Sequence, residues 1–137
     1  MRKYFSIVAF FALMSFCLSS MALGAESRAI KDLRGTWSGG VLGIDGSSFV
    51  TFTVNIDIAQ QKNYRLLGTI QFGDNEPQTI IGVFYNGDEM QLVTETTTFE
   101  GGVYQRAGTE YYSGICKRTK TNELEPAIGK FTLTRIK

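Results

Sequence analysis

The stretch Leu33-Arg34-Gly35-Thr36-Trp37-Ser38-Gly39-Gly40 begins the part of the chain that decides the fold. Trp37 is the single tryptophan among 137 residues, and glycines lie on both sides of it. Before this stretch, residues 26–32 are polar and predict an arm or a plug near one end of the domain, with a short helical turn at 27–33. After it, apolar residues no longer recur at helical spacing, and short runs rich in β-branched and aromatic residues predict an all-β domain.

The run at 49–59 gives the clearest strand pattern. Its apolar members alternate with polar residues and share one face: Val50, Phe52, Val54, Ile56 and Ile58. The whole chain predicts eight strands in this way, at 35–42, 49–59, 64–72, 78–85, 89–99, 103–106, 109–118 and 128–136. The strand at 78–85 is apolar on both faces. Because the connections are short and Asn86-Gly87 is a hairpin dipeptide, we expect sequential antiparallel pairing.

Glycines recur inside the predicted strands, each within a similar apolar pattern. They are Gly68, Gly82, Gly114 and Gly129. Glycine weakens a strand but lets a sheet bend sharply, which a small closed barrel requires. The predicted fold class is therefore an all-β, eight-stranded antiparallel up-and-down β-barrel. The alternative is a β-sandwich, in which the glycines mark bulges.

The first 25 residues have the order of a secretory signal peptide. Arg2 and Lys3 precede an apolar run, and small residues follow it. Cleavage after Ala22 and cleavage after Ala25 both fit this pattern. The alternative is an uncleaved anchor, but the apolar run is shorter than the roughly 20 residues that a spanning helix takes. We expect residues 1–25 to be a signal peptide, 26–137 to be a single barrel domain, and the protein to be secreted or periplasmic.

Charge and cysteine content narrow the choice of partners. Removal of residues 1–25 takes away two cations and no acid, so the net charge falls from +1 to −1. A near-neutral domain gives no electrostatic reason to expect nucleic acid or an anionic membrane as a partner. Cys116 is then the one remaining cysteine, which we interpret as a buried structural thiol rather than a reactive or intermolecular one.

The segment Gly35-Thr36-Trp37, on the first strand of a small secreted meander, resembles the Gly-x-Trp opening of the calycin superfamily (lipocalins, fatty-acid-binding proteins and avidins). Those families place a basic residue near the C-terminus over the tryptophan ring, and Arg135 is the matching residue here. The resemblance implies a lipocalin- or avidin-like barrel in which Trp37 and Arg135 serve structural closure. The sequence lacks the further lipocalin motifs and the later tryptophans of avidins, so the resemblance implies a fold more than a ligand.

The chain has no histidine, which excludes histidine-based acid–base catalysis, Ser-His-Asp chemistry and most zinc sites. No glycine-rich phosphate loop leads into a helix. We therefore predict no cofactor, no metal and no catalytic residue. Five carboxylates on strands or strand edges remain for an enzyme hypothesis: Asp57, Glu89, Glu95, Glu100 and Glu110. Acids at alternate strand positions usually face water, which favours a solvated surface.

Aromatic residues on successive strands are the remaining candidates for a binding site. Core packing is the first interpretation, and a ligand pocket is the second, with Tyr64, Phe84, Tyr104 and Tyr111 as its candidate residues. The leading hypothesis is a lipocalin-like barrel that binds a small apolar or amphipathic ligand, at the end away from Trp37. The alternative is an envelope protein-interaction or inhibitor module with a packed core. The third is a cyclase-like barrel enzyme, which needs a buried carboxylate with a raised pKa.

Overall fold

The computed structural model describes residues 29–136, in which every regular element is a β-strand. The strands are β1 (Gly35–Asp45), β2 (Ser48–Lys62), β3 (Arg65–Phe72), β4 (Gln78–Tyr85), β5 (Glu89–Val93), β6 (Thr97–Arg106), β7 (Thr109–Arg118) and β8 (Ala127–Ile136). Each strand pairs antiparallel with the next, and β8 closes the ring on β1. The up-and-down barrel is confirmed, and the sandwich alternative is wrong. The predicted signal peptide lies outside the described residues, and nothing within 29–136 forms a helix suited to crossing a membrane.

The side chains of β2 alternate between the inner and outer faces of the barrel, and a β-bulge changes which residues face inward at one end of the strand. Ile56 and Ile58 face the interior and are buried. The pairing of β2 with β3 then shifts between Ile58 and Gln60, which marks a β-bulge. After the bulge Gln61 is opposite the buried Leu66, and opposed residues of an antiparallel pair lie on the same face of the sheet. The bulge therefore turns an amide side chain inward at one end of the barrel.

Glycines inside the strands allow neighbouring backbones to come close together. A Cβ atom at Gly68 would collide with the backbone carbonyl oxygen of Asp57. A Cβ atom at Gly114 would collide in the same way with the carbonyl oxygen of Glu100. No side chain fits at these two positions, and the tight curvature of the wall depends on them.

The single strand predicted at 89–99 is two strands, β5 and β6. Thr94 breaks the ladder, because its Oγ1 accepts hydrogen bonds from the backbone N–H groups of Thr96 (3.2 Å) and Thr97 (2.9 Å). Threonine side chains compete with strand pairing in this manner. The predicted break between the strands at 89–99 and 103–106 is also wrong, since Gly101 and Gly102 lie within β6 and pair with β7. The number of strands is as predicted, but these boundaries are not.

The core lies inside the barrel and fills its axis. Phe72 stacks on Phe99 with ring centroids 6.0 Å apart, and Phe99 meets Phe131 at 5.2 Å. Phe131 meets Tyr112 at 4.6 Å, so these aromatic rings form one continuous column. Tyr112 is fully buried, and its hydroxyl lies 3.0 Å from the carbonyl oxygens of both Met90 and Phe99. The only polar atom of this side chain is thus satisfied by the backbone of the barrel wall.

Candidate functional site

The arm formed by residues 29–34 closes one end of the barrel, which we call the closed end. Leu33 and Trp37 are both fully buried, and the indole Nε1 of Trp37 donates to the Leu33 carbonyl oxygen at 3.1 Å. Arg135 is opposite Trp37 in the β1–β8 ladder. Its Cζ lies 5.6 Å from the centroid of the indole ring, which is the geometry of a cation–π contact.

The inward-facing amide of Gln61 holds the backbone of the arm. Its Oε1 accepts a hydrogen bond from the N–H of Leu33 at 2.7 Å, and its Nε2 donates to the carbonyl oxygen of Lys31 at 2.8 Å. A helix would pair such backbone groups internally, but here a strand side chain pairs them instead. The described part of the helical turn predicted at 27–33 has no regular structure, so that prediction is wrong.

Charged side chains complete the closed end. Arg135 pairs with Glu110 at 2.6 Å and also donates to the backbone carbonyl oxygens of Asp32 and Arg34. Lys31 forms a second ion pair with Glu110 at 2.7 Å. Burial raises the pKa of Glu110, but the hydrogen bonds from Lys31 and Arg135 outweigh burial and hold that pKa below its usual value. The cyclase-like enzyme hypothesis required a buried carboxylate with a raised pKa, whereas the pKa of Glu110 is lowered.

The other end, which we call the open end, contains a cleft of about 40 Å³ among Val41, Phe52, Thr97 and Cys116. Drug-sized ligands occupy sites of roughly 300–1,000 Å³, so this cleft is too small for such a ligand. Cys116 is buried, and burial raises the pKa of its thiol. A thiol with a raised pKa is a poor nucleophile at neutral pH, since the thiolate is the reactive form.

The structure separates the four residues predicted to bind a ligand. Phe84 is buried in the core, whereas Tyr64 is exposed in the turn between β2 and β3. Tyr104 and Tyr111 are opposed across β6 and β7 and stack on the outer wall, with ring centroids 5.4 Å apart. Tyr64 and Phe84 do share a wide surface depression beside the arm. The four residues do not share one pocket.

A groove that the sequence patterns did not reveal lies on the outer face of β3, β4 and β5. Leu67, Ile81 and Val93 are opposed across these three strands and form a row. Leu67 is 41% exposed and Ile81 is 60% exposed, although both are large apolar residues. Val83 continues the apolar lining, and the groove holds about 560 Å³. The sequence contained one indication of this groove, since the strand at 78–85 is apolar on both faces. The wall of a packed barrel needs an apolar face only on the inside, so a second apolar face indicates an exposed apolar surface.

Two cations border this groove. Lys62 and Arg65 are opposed in the β2–β3 ladder and belong to the lining. Neither forms a salt bridge with another residue of the described part of the chain. The other polar lining residues are Gln60 and Gln91, so this lining contains no carboxylate. The groove is therefore apolar along its length and basic at one border.

Comparison of the chain with protein-family models, curated proteins and solved structures gave no match. The closed eight-stranded barrel agrees with the calycin resemblance at the level of architecture, and membership of that superfamily stays a prediction. Across residues 29–136, histidine, cysteine, aspartate and glutamate side chains form no group of three or more that is placed to hold a metal ion.

Proposed function

We propose that this chain is a protein-interaction module whose outer groove binds an apolar segment of a partner protein that also carries acidic side chains. The row formed by Leu67, Ile81 and Val93 is the observation that carries the proposal. Leu67 and Ile81 are exposed and Val93 is half-buried beside them, on a barrel whose core is already complete. Contiguous exposed apolar surface with a polar border is typical of a site that binds another protein.

The packing of the interior favours this hypothesis over a ligand inside the barrel. Phe99 and Tyr112 are fully buried on the barrel axis, so an internal ligand would have to displace them. Displacing such side chains from a close-packed core costs several kcal/mol, since a comparable loss follows their truncation. The lipocalin-like hypothesis remains a prediction, and the described core offers it little support.

The closed ring of strands determines how a partner is recognised. Every strand of the barrel is paired on both sides, so none of its edges is free to accept an additional strand from a partner. Recognition must therefore come from side chains on the outer wall. The groove supplies them as an apolar row with two cations, Lys62 and Arg65, at its border.

The two cations at the border of the groove specify the chemistry of the partner. Lys62 and Arg65 attract carboxylates, which increases the rate of encounter and selects the orientation of an incoming segment. The apolar row supplies the area that is removed from water once the segment is bound. With the leader expected at residues 1–25, we place this binding in a secreted or periplasmic setting, and the partner is another envelope or secreted protein.

The test begins with light-activated cross-linking in the cells that produce the protein. A photoreactive residue replaces Ile81 in the groove or, as the matched control, Ile136 at the end of β8, outside the groove. Both are exposed strand isoleucines, at 60% and 54%. We expect a specific adduct from position 81 and a segment of the captured protein that is both apolar and acidic. Equal adducts from the two positions would contradict the proposal.

The captured segment is then synthesised as a peptide, and its Kd is measured by calorimetry. Ile81→Ser should weaken binding about tenfold, as truncation of a central interface residue does. Replacing Lys62 and Arg65 by serine should weaken binding most at low salt, because charge attraction is screened by ions. Ile136→Ser should leave Kd unchanged. If Ile81→Ser binds as the native protein does, the groove is not the binding site.

A further inference from the structure

The wall opposite the groove carries a second exposed apolar surface, which we call the apolar wall. It consists of five large residues on four strands: Leu42, Ile44, Phe49, Ile115 and Ile128. Ile44 is opposed to Phe49 on one side and to Ile128 on the other, so these three residues form a row across β2, β1 and β8. The strand order places β8 four strands from β4, at the far side of the barrel from the groove.

Phe49 is the most prominent residue of the apolar wall. It is 83% exposed and lies one residue pair from the turn that connects β1 and β2. Leu42 is 61% exposed on the same hairpin. An aromatic ring that projects from a hairpin end is suited to insertion among lipid headgroups, where amphipathic and aromatic side chains concentrate.

Lysines are interspersed with these apolar residues. Lys130 is opposed to Leu42 on one side and to Ile115 on the other, and Lys117 is opposed to Ile128. Lys130 forms no salt bridge within residues 29–136. Lys117 meets Glu100 at 3.5 Å on the exposed surface, and Glu100, opposed to Ile115, is the carboxylate at this border of the wall. Lysine among exposed apolar residues is typical of surfaces that bind anionic membranes.

We propose that the apolar wall binds the surface of an anionic lipid bilayer, with Phe49 inserted at headgroup level and Lys117 and Lys130 facing lipid phosphates. The charge of the wall is complementary to such a surface. The net charge of the chain did not indicate this partner, because it sums over the whole molecule. Charges act over about 8–10 Å at physiological salt, so the charges at the wall itself decide the interaction, and there Lys117 and Lys130 outnumber Glu100. Glu123 adds a carboxylate to the β7–β8 loop, so we place the bilayer along the strands and not against that loop.

A second copy of the chain fits this wall less well. A two-fold pairing through the wall would place Lys117 and Lys130 of both copies in one interface. Lysine is depleted in protein interfaces, and like charges brought together there oppose association. Lipid phosphates, in contrast, neutralise the same lysines. The proposal is independent of the groove partner, because the two surfaces share no residue.

Vesicle sedimentation tests the proposal. The purified protein is mixed with vesicles of pure phosphatidylglycerol or of pure phosphatidylcholine, and the bound fraction is measured as salt is raised. All variants carry the same N-terminus, verified by intact mass, so any contribution of residues 1–28 is constant. We expect binding to phosphatidylglycerol that weakens with salt, and much weaker binding to phosphatidylcholine.

The variants locate the binding surface. Phe49→Ser should lower the partition coefficient about tenfold, because the inserted ring is lost. Lys130→Gln should lower it about fivefold on phosphatidylglycerol alone. Ile136→Ser, outside both the groove and the apolar wall, is the control and should bind as the native protein does. Melting temperatures verify that each exposed substitution leaves the fold intact.

Three outcomes would overturn the proposal. The first is an absence of native binding to phosphatidylglycerol, and the second is unchanged binding by Phe49→Ser. The third is a dimer in sedimentation velocity that Phe49→Ser dissociates, which would assign the wall to a second copy. Because Ile81 and Phe49 belong to two surfaces that share no residue, failure here leaves the cross-linking result at the groove unaffected.

Discussion

The two ends of the barrel are built in different ways. At the closed end, Leu33 of the arm covers Trp37, and both residues are fully buried. At the open end, Phe52 and Phe72 are only partly buried against the core. The closed end depends on a chain segment that crosses it, whereas the open end depends on the strand residues themselves. Stability is therefore expected to be concentrated at the closed end.

The two ends of the barrel also differ in their ion pairs. Glu110 at the closed end receives hydrogen bonds from two cations, and its side chain is 20% exposed. Asp45 at the open end pairs with Arg118 alone, at 2.6 Å, and its side chain is 37% exposed. Ion pairs that are shielded from water and supported by several partners contribute more than single exposed pairs. Substitutions at equivalent positions of the two ends measure how large this difference is.

The largest effect is expected from Trp37→Ala. Removing the fully buried indole should lower the free energy of unfolding by about 3–5 kcal/mol, because both the transfer energy and the packing are lost. Phe52→Ala at the open end should cost about half as much, because that ring is already partly exposed. Urea unfolding followed by circular dichroism measures both, since fluorescence is lost with the only tryptophan. Equal losses at the two ends, or an unchanged Trp37→Ala variant, would contradict the assigned roles.

A smaller effect is expected from Glu110→Gln, which should lower the free energy of unfolding by about 1–2 kcal/mol near neutral pH. The folded pKa of Glu110 is lowered from its ordinary 4.5 because hydrogen bonds from Lys31 and Arg135 outweigh burial. A lowered pKa contributes stability that is present above pH 4.5 and is lost as the pH falls through the folded pKa.

The difference between the native protein and Glu110→Gln should therefore shrink as the pH falls below 4.5. Urea unfolding at a series of pH values measures it. Glu100→Gln is the matched control, because Glu100 meets Lys117 only at 3.5 Å and both side chains are exposed. The control should change stability little at any pH. A difference for Glu110→Gln that stays constant as the pH falls would show that its charge does not stabilise the closed end.

The barrel and the neighbourhood of Trp37 were predictable from the sequence. Alternation in 49–59 assigns the inner face of β2, because side chains of a strand alternate strictly between two faces. Sequential pairing of short strands then brings the first strand beside the last. The position of Arg135 opposite Trp37 was implied by the calycin resemblance, because strand order alone does not set the register of β1 and β8. The inner face of β2 and the closure of the barrel need only the period of the strand and the order of the elements.

The bulge and the groove were not predictable, since both depend on register. The shift between Ile58 and Gln60 turns Gln61 inward, and no pattern within 49–59 marks it. The row of Leu67, Ile81 and Val93 exists only because three strands align at those positions. Alternation determines the face on which a side chain lies but not its neighbours across the sheet. The two faces of 78–85 indicated an outer apolar surface without locating it.

The smallest effect is expected at the open end, from Asp45→Asn. The amide keeps an oxygen that can accept a hydrogen bond from Arg118, and the pair is partly open to water, so the loss should be below about 1 kcal/mol. Arg118 also donates to the carbonyl oxygen of Glu125 at 3.0 and 2.7 Å, which holds the β7–β8 loop independently of Asp45. Arg118→Met should therefore destabilise the protein more than Asp45→Asn, and urea unfolding of the two variants separates the two contributions. A loss for Asp45→Asn as large as that for Glu110→Gln would mean that a single ion pair supports the open end as strongly as the arm and its partners support the closed end.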